Sequence, residues 1–155
     1  MEVITQILAR YGMNSVDQIR QNIASTGSNA SGKTSSEINW ETPTPNRVIV
    51  YGPPHVYVLE TGRGPRKSSQ SSGLQGKIAD WIGVKPISIE GSIEKAARGI
   101  TWYMNKHGSK LYREGGRTDI LTPVISNTRA INDLQSELAD NLLNLTADKI
   151  QKGVN

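Results

Sequence analysis

A run of apolar residues at three- and four-residue steps fills the C-terminal part of the chain, from Pro123 to the neighbourhood of Gly153. The run consists of Ile131, Leu134, Leu138, Leu142 and Leu145. This spacing places the five side chains on one face of an α-helix, so the sequence predicts a C-terminal helix over residues 123–152. The run is too short to indicate a coiled coil.

The N-terminal segment 1–25 predicts two shorter helices. Apolar residues keep helical spacing until Gly12, which can end a helix; they are Val3, Ile4, Ile7, Leu8 and Tyr11. Ser15 followed by Gln18 matches a capping box and opens a second predicted helix over 16–24. We therefore expect a bend at residues 12–14.

Strand-like alternation is confined to the middle of the chain. Ile38 and Trp40 alternate with polar residues, and 47–51 is β-branched and aromatic, so the sequence predicts an antiparallel hairpin around the turn 43–46. Segment 53–62 starts with Pro and ends with Gly but is rich in β-branched residues, which leaves helix and strand open. We favour a short helix there.

Two more helices are predicted before the C-terminal one. The first runs from Leu74 to Ile82 and is ended by Gly83, and the second opens at Ser92 and stops at Gly108. The resulting fold class is α+β, in which a small antiparallel sheet packs against helices and a long C-terminal helix follows. Residues 37–122 are expected to form the α+β core of a single domain.

Composition limits the function classes. The chain has 155 residues, enough for one domain, but only 35% are hydrophobic and none is Phe. Such a lean core suggests that neighbouring subunits order part of the chain. The net charge of +4 permits a DNA neighbour without requiring one. The absence of Cys excludes disulfides and thiolate chemistry and fits synthesis in a reducing cytoplasm.

Neither a secretion signal nor a membrane span is predicted. The N-terminus lacks a basic start followed by an apolar stretch, and no run approaches the roughly 20 apolar residues of a spanning helix. We expect a soluble protein without a membrane partner.

Two polar segments, 26–36 and 63–73, are expected to be mobile loops, because their composition cannot bury enough apolar surface. The second is basic, carrying Arg63, Arg66 and Lys67, and is the predicted contact arm.

The first polar segment also matches the phosphate-binding loop pattern through Gly27, Gly32, Lys33 and Thr34. That chemistry needs a buried strand before the loop and a helix N-terminus after it. The sequence predicts a helix before the loop and a strand after it, so we interpret the match as accidental.

No other pattern indicates catalysis or a bound cofactor. His55 and His107 stand far apart in the sequence and lack carboxylates at metal-ligand spacing, so no metal site is predicted. Nothing resembles a positioned Ser-His-acid set. A basic run extends over residues 95–117 but is interrupted by Glu94, Glu114 and Asp119, and we interpret it as a solvated face. We expect a protein that is not an enzyme.

Three segments in order resemble the minor tail and tail-completion proteins of long-tailed bacteriophages. Segment 32–38 is similar to the family's Gly-rich entry into a strand, although Thr34 stands where the family has Leu and Glu37 where it has Ser. Segment 56–65, Val-Tyr-Val-Leu-Glu-Thr-Gly-Arg-Gly-Pro, is the more specific match. Segment 96–113 is similar to the family's helix, Gly and short strand.

The resemblance implies a virion protein of the phage neck, assembled in the host cytoplasm. Such a subunit forms a homo-oligomeric ring, with portal or head-closure proteins on one side and the tail tube or terminator on the other. The resemblance implies no active site. The assembly candidates are Gly32, Lys33, Glu60, Gly62, Arg63, Gly64, Pro65, Arg66 and Lys67. Of these, Arg63, Arg66 and Lys67 would lie near genomic DNA.

Two alternatives stay open. A tail terminator or a head-closure ring would share the virion setting. A small DNA-binding protein that uses the basic loop would belong to another class.

Overall fold

The computed structural model describes residues 2–28, 32–66, 73–85 and 87–153. Within these ranges the helices are α1 (Glu2–Ser25), α2 (Lys33–Ser36), α3 (Val58–Thr61), α4 (Leu74–Val84), α5 (Ile93–His107), α6 (Lys110–Arg113), α7 (Thr122–Ile125) and α8 (Thr128–Gly153). The strands are β1 (Asn39–Thr44) and β2 (Arg47–Tyr51), which form a two-stranded antiparallel sheet. The predicted α+β class, with a small sheet packed against helices and a long C-terminal helix, is confirmed.

The N-terminal segment is one helix, and the predicted bend at Gly12 is wrong. A Cβ at Gly12 would lie 2.7 Å from Cγ2 of Val48 and 3.2 Å from the Trp40 ring, so the missing side chain lets the hairpin rest on α1. This packing outweighs the roughly 0.5–1 kcal/mol that Gly costs inside a helix. Ser15 is not a cap but a mid-helix residue whose hydroxyl donates to the Tyr11 carbonyl at 2.8 Å.

The predicted hairpin is confirmed. Asn39 pairs with Tyr51, and Thr44 pairs with Arg47 across the turn. The register is irregular between Glu41 and Thr44, where Pro43 has no N–H for the ladder.

The larger hydrophobic cluster joins α1 to the hairpin and to the start of the C-terminal region. Its buried members are Val16, Ile19, Ile23, Ile38, Ile120 and Val124. The core therefore extends beyond the expected segment 37–122 at both ends, because α1 supplies half of these side chains.

Helices α4 and α5 pack together around a smaller cluster of Ile78, Ile82 and Ala97. Ser92 caps α5 by accepting from the Lys95 N–H, and Gly108, with φ of 81°, ends it, so both predicted boundaries of this helix are confirmed. Helix α4 continues through Gly83, because helical Gly is tolerated there, and stops where Lys85 turns extended.

The C-terminal region differs from the prediction in two places. The short strand implied near residues 110–113 is the helix α6, which Ser109 caps by accepting from the Tyr112 N–H. The single helix over 123–152 is divided into α7 and α8, because Asn127 accepts from the Ala130 N–H and so caps α8 separately.

Helix α8 packs on α1 through its N-terminal half. Glu137 accepts from the Arg10 guanidinium, and residues of both helices, among them Ile7 and Leu134, line a shared cleft. None of the helices in the described ranges combines the length and apolar character needed to cross a membrane.

Candidate assembly surfaces

The Glu60 carboxylate joins α3 to the segment that opens α7. Oε1 accepts from the backbone N–H groups of Ile120 at 2.8 Å, Leu121 at 2.6 Å and Thr122 at 2.9 Å. Oε2 accepts from the Thr122 hydroxyl at 2.9 Å. The residue is only 8% exposed. Glu60 thus satisfies helix-start donors that are 60 or more residues away in the sequence.

These donors also set the charge state of Glu60. Burial by itself raises the pKa of the carboxyl, but the backbone N–H groups of Thr122, Ile120 and Leu121 and the Thr122 hydroxyl together lower it further than burial raises it. The pKa of Glu60 is therefore below its ordinary value, and the ionised form is the one that the fold stabilises.

The residues after Glu60 dock against the α5–α6 junction. Gly62 has φ of 70° and ψ of 171°, and a Cβ there would lie 2.3 Å from the Tyr112 nitrogen. The Arg63 N–H donates to the Ser109 hydroxyl at 2.9 Å, and the Ser109 N–H donates to the Arg63 carbonyl at 2.7 Å. The Arg66 N–H donates to the Asn105 carbonyl at 2.8 Å. The described part of the predicted loop 63–73 is therefore bonded to the body of the protein.

The predicted assembly residues thus have different positions. Glu60 and Gly62 are buried inside the subunit, and a Cβ at Gly64 would lie 3.3 Å from the Tyr112 ring. Arg63 is half-buried, and its guanidinium lies 3.4 Å from Asn105 Oδ1. Pro65 is exposed, Arg66 is half-buried, and Lys67 lies outside the described residues. The described residues 60–66 therefore make most of their contacts within the subunit. The sequence could not show this, because the residues that they contact lie about 40 to 60 positions away in the chain.

The residues of the phosphate-loop pattern lack the preceding strand that phosphate binding needs, although a short helix rather than the predicted strand follows directly. Gly27 follows helix α1 rather than a strand, and Lys33 opens the four-residue helix α2, which corrects the predicted loop over 33–36. The Lys33 ammonium lies 3.9 Å from the Glu37 carboxylate. The Thr34 hydroxyl is 3.1 Å from the His55 ring. Gly32 has φ of 74°, and residues 29–31, in the middle of the pattern, lie outside the described ranges.

The other histidine is also involved in packing. The His107 ring lies 4.7 Å from the Tyr103 ring at the end of α5. In the parts of the chain that the structure describes, no three His, Asp or Glu side chains gather as metal ligands would.

The C-terminal half of α8 exposes Leu and Ile side chains that no other element of the described ranges covers. From Leu142 onward every described side chain is exposed. Leu143 is 68% and Ile150 61% exposed, and Leu142 and Leu145 are exposed as well. We call residues 142–152 the α8 tail. It extends the helical run from the sequence but has no partner within the described chain.

A second apolar surface is a groove of about 270 Å³ between α1, the hairpin and α7. We call it the α1–α7 groove; its lining residues include Tyr11, Ile19, Val50, Tyr51, Val56 and Ile125. Ile125 at its rim is 68% exposed. Sequence reasoning missed this groove, because its wall α7 is joined to the rest of the fold by Glu60, which is about 60 residues away in the sequence.

Comparisons with family models, with curated proteins and with solved structures found no match to this chain.

Proposed function

We propose that the chain is a structural subunit of the neck of a long-tailed bacteriophage, a tail-completion or head-tail joining protein that forms a homo-oligomeric ring. A tail terminator or a head-closure ring would use the same surfaces. The ordered resemblance of segments 32–38, 56–65 and 96–113 supports this proposal.

The observation that carries the proposal is the α8 tail. A helical end with several exposed Leu and Ile side chains is marginal by itself, because most helical stability comes from packing an apolar face. Burying one such side chain contributes about 1.5–3 kcal/mol. The tail is therefore suited to a contact with another polypeptide.

We propose that this tail binds in the α1–α7 groove of a neighbouring copy. Both surfaces are apolar, yet they cannot meet within one chain, because residue 150 is separated from the start of α8 by about 33 Å at 1.5 Å of rise per residue. A contact between two different patches is heterologous, and such contacts close into rings when the rotation between copies permits.

Two variants test this contact by light scattering coupled to size-exclusion chromatography. The double variant Leu143→Gln, Ile150→Gln replaces two apolar side chains of the tail with polar ones. Ile125→Gln does the same at the rim of the groove. All three positions are exposed in the subunit, so each variant should fold. We expect wild type to form a closed oligomer and each variant alone to be monomeric.

Mixing the variants gives the decisive result. One variant keeps an intact groove and the other an intact tail, so the mixture should yield a one-to-one heterodimer. Val84→Gln, on an apolar residue of α4 that is 57% exposed, is the matched control and should assemble as wild type does. A monomeric wild type, or a mixture that stays monomeric, would rule the tail-in-groove contact out.

A further inference from the structure

The outer face of α5 carries only cationic side chains, one Trp and one Gly. Counted along the helix, positions three, four and seven residues apart fall on this face. Its members, which we call the α5 stripe, are Lys95, Arg98, Gly99, Trp102 and Lys106. All five are exposed, whereas Ala97 on the opposite face packs against α4.

Two of the three acidic residues that accompany this run in the sequence pair with cations outside the stripe. Glu114 lies 3.7 Å from Lys110, and Asp119 accepts from Arg117. Glu94 lies at the edge of the stripe. Among the described residues, the ion pairs within 4.0 Å include no cation of the stripe.

The polar groups of the stripe are all hydrogen-bond donors. Lys ammonium, Arg guanidinium and the indole N–H of Trp donate and cannot accept. Trp102 is 61% exposed even though the Lys106 ammonium lies 5.1 Å from its ring. Beside it, the Arg113 guanidinium lies 5.1 Å from the Tyr103 ring. A complementary partner is therefore anionic and rich in acceptors.

Gly99 leaves a gap between the side chains of the stripe. A Cβ at this position would meet nothing within 4 Å, so no packing inside the chain requires Gly there. A Gly inside a helix costs about 0.5–1 kcal/mol relative to Ala. Gly76 and Gly83 on α4 are equally open, so openness alone does not indicate a ligand; on the stripe, the missing side chain leaves the helix backbone accessible to a molecule bound by the flanking cations.

We propose that the α5 stripe binds the phosphate backbone of double-stranded DNA without reading its sequence. Phosphate oxygens accept hydrogen bonds from Lys, Arg and Trp donors, and duplex DNA carries phosphates along its whole length. The three cations span about 16 Å of helix at 1.5 Å per residue, so they contact several successive phosphates. The convex helix face suits the outside of a duplex better than it suits an extended single strand, which is commonly held in a groove. This inference does not depend on the neck assignment.

Fluorescence anisotropy of a labelled duplex of about 20 base pairs at about 50 mM salt tests the proposal. The triple variant Lys95→Ala, Arg98→Ala, Lys106→Ala should raise Kd at least tenfold. It should also reduce the slope of log K against log salt by about 2.7, since each lost phosphate contact removes about 0.9. The matched control is Arg47→Ala, Lys77→Ala, Arg129→Ala, which removes the same charge from exposed positions outside the stripe, the α8 tail and the α1–α7 groove.

Substitution of Gly99 separates binding from folding. Gly99→Leu should keep or raise the thermal midpoint, because its surroundings are open, yet weaken DNA binding several-fold. Gly76→Leu on α4, where a Cβ also meets nothing within 4 Å, should leave binding unchanged.

Three results would overturn the proposal. The first is an equal loss of affinity in the two triple variants, which would show that only net charge matters. The second is displacement of the duplex by poly-glutamate as effectively as by unlabelled duplex, which would indicate an acidic protein partner. The third is tighter binding of the matching single strand, with quenching of tryptophan fluorescence that Trp102→Phe abolishes.

Discussion

The Glu60 carboxylate replaces the water that the N–H groups before and at the start of α7 would otherwise bind. Hydrogen bonds to an ionised acceptor contribute about 1.5–3 kcal/mol each to stability in favourable cases. Because Ile120 is fully buried and its N–H has this carboxylate as its acceptor, losing the bond would leave a buried donor unsatisfied.

Glu60 therefore predicts how stability depends on pH. Its pKa is lowered in the folded protein, so its contribution is complete above the unfolded pKa of about 4.3 and is lost as the pH falls through the lower folded pKa. Glu60→Gln should lower the free energy of unfolding by about 1–3 kcal/mol at pH 7 and flatten its decline under acid conditions. Urea titrations between pH 7 and pH 3 measure both effects.

The control for this prediction is Glu41→Gln, at an exposed position of β1. It should change neither the stability at pH 7 nor its decline with acid by a comparable amount. If Glu60→Gln kept the wild-type pH dependence, the carboxylate would not hold α7 as described.

Single residues whose partners are local were predictable from the sequence. Ser92 caps α5 and Gly108 ends it, and both signals lie within four residues of the atoms that they satisfy. Glu60 was recognised only as part of a motif, because its acceptor role depends on donors that folding brings from residues 120–122. No local pattern specifies that partner.

At the scale of elements, the continuity of α1 depends on a close contact with the hairpin. Gly12 was predicted to end a helix from its local preference, but Val48 and Trp40 occupy the space beside it. Helix propensity is a weak preference that tertiary packing overrides. The same reasoning explains α6, where the Ser109 cap and the contact with Arg63 define a helical turn in place of the implied strand.

Gly12→Leu should accordingly separate the hairpin from α1. Overpacking of this kind costs about 1–3 kcal/mol, so we expect a lower thermal midpoint and reduced protection of the hairpin amides in hydrogen exchange. Gly83→Leu on α4 is the matched control, because a Cβ there meets nothing within 4 Å, and it should not destabilise the protein. A Gly12→Leu protein as stable as wild type would contradict the proposed packing.

At the scale of the whole molecule, the α8 tail, the α1–α7 groove and the α5 stripe lie on different elements. The tail and the groove are apolar and suit contacts between copies, whereas the stripe is cationic and suits a polyanion. The C-terminal helix was predictable from the three- and four-residue spacing of its apolar residues. The exposure of its C-terminal half was not, because this spacing identifies an apolar face but not the element that covers it. The low hydrophobic content of the sequence led us to expect a neighbouring subunit. The exposed α8 tail is the surface that we propose such a subunit contacts.

Quantitative mass spectrometry of purified virions, empty heads and isolated tails tests the central claim most directly, by asking where this polypeptide occurs and in how many copies. We expect about three to twelve copies per virion, as a closed ring requires, and fewer or none in virions made with the Leu143→Gln, Ile150→Gln variant. Absence of the wild-type polypeptide from every particle would contradict the assignment to the phage neck.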